Sequence, residues 1–367
     1  MNLTQSYSIL LSILLTNSCM SQDQQNKTTQ EDDDLPAQHI YELAKRLYPF
    51  TQDELIGFID HTGKVIVPPT YEGCHRFSEG LCQVELNGKM GFIDARGKMV
   101  IESRYQYISK FSEDLAPVSN GKRHGYINKQ GEVVIDFQYH DAWLFSEGLA
   151  AVQLDSGLFG YIDKKARLII PPAYDFAYAF SEGLALVKKK EKYGFINSKG
   201  EVVIDFMYNS AESFSEGLAA VAIGDNLGFI NKQGKVVIPF QYLGGSSFEE
   251  GLAIVAVGEG DDPNKWEGFY INKRNQRVIK QSFDDLRPFS EGLAAVKIDD
   301  KWGFINKQGE IVIQPQYEEV WYFQGGIVSV EAPFGERAYI DTTGKYIFKE
   351  EYFETPSVEG LTEGESE

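Results

Sequence analysis

Nine times between Gly57 and Ile340 the chain repeats an apolar hairpin followed by a phrase close to aromatic-Ser-Glu-Gly-Leu-Ala. The hairpin glycines, or the residues standing for them, are Gly57, Gly91, Gly125, Gly160, Gly194, Gly228, Gly268, Gly303 and Ala338, at spacings of 34, 34, 35, 34, 34, 40, 35 and 35. A unit of this length cannot bury its apolar face alone, so neighbours must cover it and the chain must be a repeat architecture. That also explains how 367 residues fold without one oversized core.

Each unit reads as three strands. In Leu293–Ile298 the residues Ala294, Val296 and Ile298 alternate onto one face, the period-2 pattern of a half-buried strand. Trp302–Ile305 and Glu310–Ile313 supply the second and third strands. Between them an Asx residue opens a turn (Asp60, Asp94, Asn128 and their equivalents) and glycine usually closes it. The Asx side chain can accept from the backbone two residues on, and glycine adopts positive φ freely. This makes the Asx row a turn device in preference to a calcium site. Ala166 and Asn275 fill the glycine slot in units four and seven, where distorted turns are expected. After the third strand comes a tyrosine bend, often with proline, which is expected to stop the strand. Tyr71, Tyr105 and their equivalents precede Phe77, Phe111 and theirs by six residues, and the two ladders are expected to stack between units.

The ends differ from the array. Residues 1–18 contain a short apolar run, Ile9–Leu15, too short to span a bilayer, and read as a signal peptide. Cys19 follows Ser18 and is the candidate lipid-attachment residue of a lipoprotein signal, although no Lys or Arg precedes Lys27. A plain cleaved signal without an anchor is the alternative. Residues 19–38 are polar and read as a disordered tether. In residues 39–50, Ile40, Leu43, Ala44, Leu47 and Tyr48 have helical spacing and predict a short helix capping the array. The array itself occupies 51–352, and 353–367 reads as a degenerate repeat remnant with an acidic tail. Cys74 and Cys82 fall where other units hold Ile108, Ala142, Ala116 or Ala150, so core packing accounts for them. In an exported chain a disulfide between them stays open.

The Lys-Trp-Gly-Phe-Ile phrase of Lys301–Ile305, its Asn-Lys-Gln-Gly turn, the Pro-x-Tyr bend and the Phe-Ser-Glu-Gly-Leu-Ala phrase resemble the bacterial WG (KWG) repeat, over roughly Leu55 to Tyr352. Only Trp302-Gly303 keeps the eponymous pair; the Trp slot elsewhere holds residues such as Ile56, Met90, His124 and Tyr193. The resemblance implies a β-rich module often found in exported bacterial proteins, and it implies no activity.

The expected fold is therefore all-β: a tandem array of about nine three-stranded β units of 34–35 residues with a short N-terminal helix. An open stacked superhelix is expected, with a closed propeller-like ring as the alternative. The five histidines lie at unrelated repeat positions, and no nucleophile elbow, phosphate loop or zinc motif occurs. No catalytic residue, cofactor or metal is expected. The net charge of −19 argues against nucleic acid. Two features carry recognition potential. Glu79, Glu113, Glu147, Glu182, Glu216, Glu250 and Glu291 form a carboxylate row, which is better read as accepting N–H groups at each residue's own turn. An insertion at 258–267 breaks the period and offers Asp261, Asp262 and Trp266 as a candidate recognition loop. The expected function is a non-catalytic binding or scaffold protein of the bacterial cell envelope, periplasmic or an outer-membrane lipoprotein. Its ligand is protein or glycan, and it meets the membrane only through Cys19. The alternative is an envelope hydrolase with a site on the array axis or in the 258–267 loop.

Overall fold

The computed structural model describes residues 37–258, 267–333 and 335–350. Helix α1 (Ala37–Ala44) leads into nine antiparallel sheets among the described residues, each built from one continuous stretch of chain. Blade 1 pairs β1 (Leu47–Gln52), β2 (Leu55–Asp60) and β3 (Val65–Tyr71) in that order. Blade 2 pairs β4 (Gly73–Cys74), β5 (Leu81–Leu86), β6 (Lys89–Asp94) and β7 (Met99–Tyr105). The same four-stranded order recurs in blades 3 to 6 (107–139, 141–174, 176–208, 210–242) and in blades 8 and 9 (285–317, 319–349).

Two expectations are corrected here. Seven of the nine described units are four-stranded, not three-stranded, because the innermost strand is only two residues long in most blades and offers no alternation to read. The array is also closed: nine blades form a β-propeller, and the open superhelix does not form. Tyr48 Oη in blade 1 donates toward Gln324 O at 2.9 Å and Gly325 O at 3.0 Å in blade 9. Thr51 N–H donates to Glu350 at 2.9 Å, and Tyr339 Oη donates to Pro49 O at 2.6 Å. Tyr48, Phe50 and Ile59 share one apolar cluster with Ile327 and Tyr339. The blade shape explains the closure. A two-residue inner strand set against a seven-residue outer strand makes a wedge, and wedges rotate about an axis.

The N-terminal segment supplies what blade 1 lacks. The helix ends at Ala44, and residues 47–50, expected as its last turn, belong to strand β1, paired with β2. The middle strands are buried on both faces because blades pack face to face, whereas the outer strands expose residues such as Val133, Val134, Val202 and Val203. The prolines do not stop these outer strands: Pro68 and Pro69 lie inside β3. An edge strand tolerates a residue without an N–H.

The hairpin glycine is a close-approach device. At Gly91, Gly125, Gly194 and Gly228 an added Cβ would stand 2.4, 2.5, 2.7 and 2.7 Å from the carbonyl oxygen of an outer-strand isoleucine. Blade 7 shows the consequence of losing it. Val255 pairs with Phe269 as Val221 pairs with Gly228, so Phe269 holds the glycine slot and Gly268 the bulky slot. The outer strand cannot close on a phenyl ring, and blade 7 keeps three strands. Arg277 stacks 4.7 Å over Phe269 and donates to the carbonyls of Ile279, Lys280 and Gln281, which the missing ladder leaves without partners.

Candidate functional site

Adjoining blades are joined by a belt built from the Phe-Ser-Glu-Gly phrase. The phenyl ring packs on the third-strand aromatic of the preceding four-stranded blade, as in Phe92–Phe111 at 4.7 Å and Phe195–Phe214 at 4.8 Å, instead of on the tyrosine bend. The serine hydroxyl donates to the next blade's phenylalanine carbonyl, Ser146 to Phe180 and Ser215 to Phe248, each at 2.7 Å. The glutamate accepts from the next blade's turn and not, as expected, from its own. Glu79 accepts from Glu113 N and Asp114 N at 2.6 and 3.0 Å, and Glu182 and Glu216 accept from Gly217 and Gly251. A lysine in the neighbouring Asx turn completes most joints, with Lys129, Lys232, Lys273 and Lys307 within 3.0–3.1 Å of Glu79, Glu182, Glu216 and Glu250. Burial pushes the Glu216 carboxyl up, but Lys273 and the Gly251 N–H outweigh it and hold the group below the usual range.

Each belt glutamate sits in the left-handed region, with φ between 51° and 55°. A non-glycine residue there costs of order 1 kcal/mol and persists only where surrounding contacts fix it. The carboxylate's bonds to the next blade supply that constraint, so the row is structural. Blade 9 tests this reading. No belt turn follows it in blade 1, and there the glutamate slot holds Gly325, where a Cβ would meet Tyr48 Oη at 2.3 Å. Tyr48 replaces the absent phenylalanine, with its ring 5.8 Å from Tyr339. Burial first, and the Glu291 carboxylate second, push the Tyr48 hydroxyl up to about 12.

The Asx side chains are engaged by their own turns. Asp60 Oδ1 accepts from Thr62 N and Lys64 N, and Asn128 Oδ1 from Gln130 N and Glu132 N. Ala166 and Asn275 adopt φ of 58° and 61° and keep the same turn without distortion. Cys74 and Cys82 are free thiols; Cys82 is buried, its sulfur 2.9 Å from His75 O. Burial pushes the Cys82 thiol up, and a hydrogen bond from it pulls Cys74 down. Among the described residues no group of three or more His, Cys, Asp and Glu is placed to hold a metal ion.

Cavities open on the blades near the seam. One of about 120 Å³ lies at the seam between Tyr48, Arg76, Gln324 and Tyr339. A larger one of about 550 Å³ is walled by blade 2 (His75, Arg76, Gln83, Met90), blade 3 (Tyr107, Lys110) and Gln324 of blade 9. Blade 9 and blade 3 residues facing one cavity place it at the inner end of the blades. Sequence reasoning missed this site, because Arg76 and Lys110 stand at one repeat position that holds Leu144, Ala179, Ser213, Ser247, Pro288 and Tyr322 elsewhere. Comparing that column was the available signal. Cys19, Asp261, Asp262 and Trp266 lie outside the described residues. The strand ends flanking the insertion, Val257 and Glu267, pair at the end of blade 7 opposite the Asn272 turn.

Comparison with solved structures finds distant likenesses. A crystal structure of a eukaryotic initiation factor aligns with a TM-score of 0.59 at 10% identity, over 84% of this chain and 96% of that one. BamB from Moraxella catarrhalis aligns with a TM-score of 0.42 at 10% identity, over 74% and 99%. At these identities the likeness concerns fold alone. No curated protein matches the chain in sequence. The model of the WG-containing repeat matches eight stretches: 56–89, 90–123, 125–157, 159–193, 193–226, 228–266, 269–302 and 302–331. With eight matched repeats covering well over half its length, the chain belongs to the WG-repeat family.

Proposed function

We propose that this protein is a non-catalytic binding scaffold of the bacterial cell envelope, with a protein or glycan ligand. The supporting observation is the roughly 550 Å³ cavity walled by blades 2, 3 and 9, a concave site with polar and aromatic lining. The WG-repeat propeller is a structural type, and its recurring polar residues are occupied in turns and blade joints. Export by residues 1–18, anchoring through Cys19 and a second contact at Asp261, Asp262 and Trp266 belong to the same reading and rest on the sequence. A pull-down from envelope extract, paired with a hydrolase substrate panel, tests it. A retained partner without turnover is expected; turnover that copurifies with the protein overturns the scaffold reading.

A further inference from the structure

We infer that the cavity walled by Arg76, Gln83 and Lys110 binds the carboxylate of an acidic sugar. The inference rests on the scaffold reading and names its ligand class. In a chain of net charge −19, the lining of this cavity contains no Asp or Glu. Arg76 and Lys110, on adjacent blades at the same repeat position, are exposed and have no carboxylate partner among the described residues. Two cations lining one cavity suit one bidentate anion.

Gln83 is the independent observation. It is 6% exposed, at a position that holds Pro117, Ala151, Ala220 or Ala295 in other blades. Its amide N–H₂ reaches only the Met90 sulfur, at 3.4 Å, a weak acceptor, and its carbonyl oxygen has no donor. The side chain is held in place by burial while its carbonyl oxygen opens onto the cavity without a protein donor, so a ligand can pair with it. It faces the cavity, where it can serve sugar hydroxyls as donor and acceptor. Tyr107 completes the site as an apolar platform: its ring is 48% exposed and is braced edge-on by His124 at 5.8 Å. An extended acidic peptide fits less well, since it calls for a long groove or a free strand edge, while this space is compact.

Calorimetric titration of the whole chain with a glucuronate-terminated disaccharide tests the assignment, with the glucose-terminated counterpart and a hexaglutamate peptide alongside. The acidic disaccharide is expected to bind and the neutral one not. Arg76→Gln and Lys110→Gln should each weaken binding at least ~10-fold, the loss of one charge-assisted contact. Gln83→Ala, which installs a residue other blades carry there, should weaken it several-fold. An unchanged urea midpoint in the charge variants separates lost binding from lost folding. Absence of binding at millimolar ligand, equal binding of the neutral sugar, indifference to the substitutions, or preference for the peptide would each overturn the inference. Envelope partners retained despite such a failure leave the scaffold reading standing, whereas consumption of the disaccharide removes the scaffold reading itself.

Discussion

Replacing Tyr48 by alanine removes the side chain that ties the first blade to the last. The hydroxyl lies within 3.0 Å of two carbonyl oxygens, but it carries one proton, so the pair amounts to one shared hydrogen bond. Tyr48→Phe loses that bond and leaves the Gln324 and Gly325 carbonyls short of a donor, at about 1–2 kcal/mol. Tyr48→Ala also removes a ring that is 7% exposed and paired with Tyr339, which brings the loss to about 3–5 kcal/mol. Val203→Ala, on an exposed stretch of outer strand, is the control and should stay within about 0.5 kcal/mol. Urea unfolding followed by tryptophan fluorescence measures all three. The alkaline limb adds a second readout. Burial raises the Tyr48 hydroxyl to about 12, so its stabilisation is complete below the unfolded value of about 10 and is lost as pH rises through the folded one. Tyr48→Phe should flatten that limb. If Tyr48→Ala matched the Val203 control, the two ends would not be in contact and the closed ring would be wrong.

Glu249 occupies the belt's serine slot, and burial, then the Glu216 and Glu250 charges, push its carboxyl up. Glu249→Ser should restore a donor to the next phenylalanine carbonyl and stabilise the protein by about 1 kcal/mol. Part of that gain should fade in thermal melts as pH falls toward about 4, where the glutamate is neutral in both states. Glu216 has the opposite sign. Its lowered folded value gives stability that is present above the unfolded value of about 4.3 and lost as pH falls from there through the lower folded one, so Glu216→Gln should show a shallower acid transition by circular dichroism. Gly194→Ala drives a Cβ to 2.7 Å from Ile204 O and should cost about 2–3 kcal/mol in urea. Gly268→Ala, whose nearest neighbour is a flexible Leu286 methyl at 3.3 Å, should cost less than about 0.5 kcal/mol in the same assay.

The period, the hairpins and the Asx turns are legible in the sequence because each is a local device repeated many times. Closure is not, because its residues lie outside the repeat. Leu47 and Tyr48 continue the helical spacing of Leu43 and Ala44, and only pairing with blade 1 shows that they form a strand. The register of blade 7 is hidden for a related reason. Gly268 stands beside the true slot, and counting back three residues from Asn272, as from Asn231 to Gly228, is the ruler that finds Phe269. The candidate cavity is written in two substitutions in one column, Arg76 and Lys110, and in Gln83. Their meeting at one inner rim depends on the ring, so the residues are visible in the sequence and their proximity is not.

Among the described residues every blade is drawn from consecutive residues, and blades 1 and 9 meet across a seam through side chains. Gene duplication can therefore insert or remove a unit of about 34 residues without unpicking any sheet. The burden of a changed blade number falls on the tilt at each joint, shared around the circumference, and on one renegotiated contact at Tyr48. Such a ring can change its bore by whole units while keeping its rim chemistry, which gives lineages of this architecture a modular way to resize a binding surface.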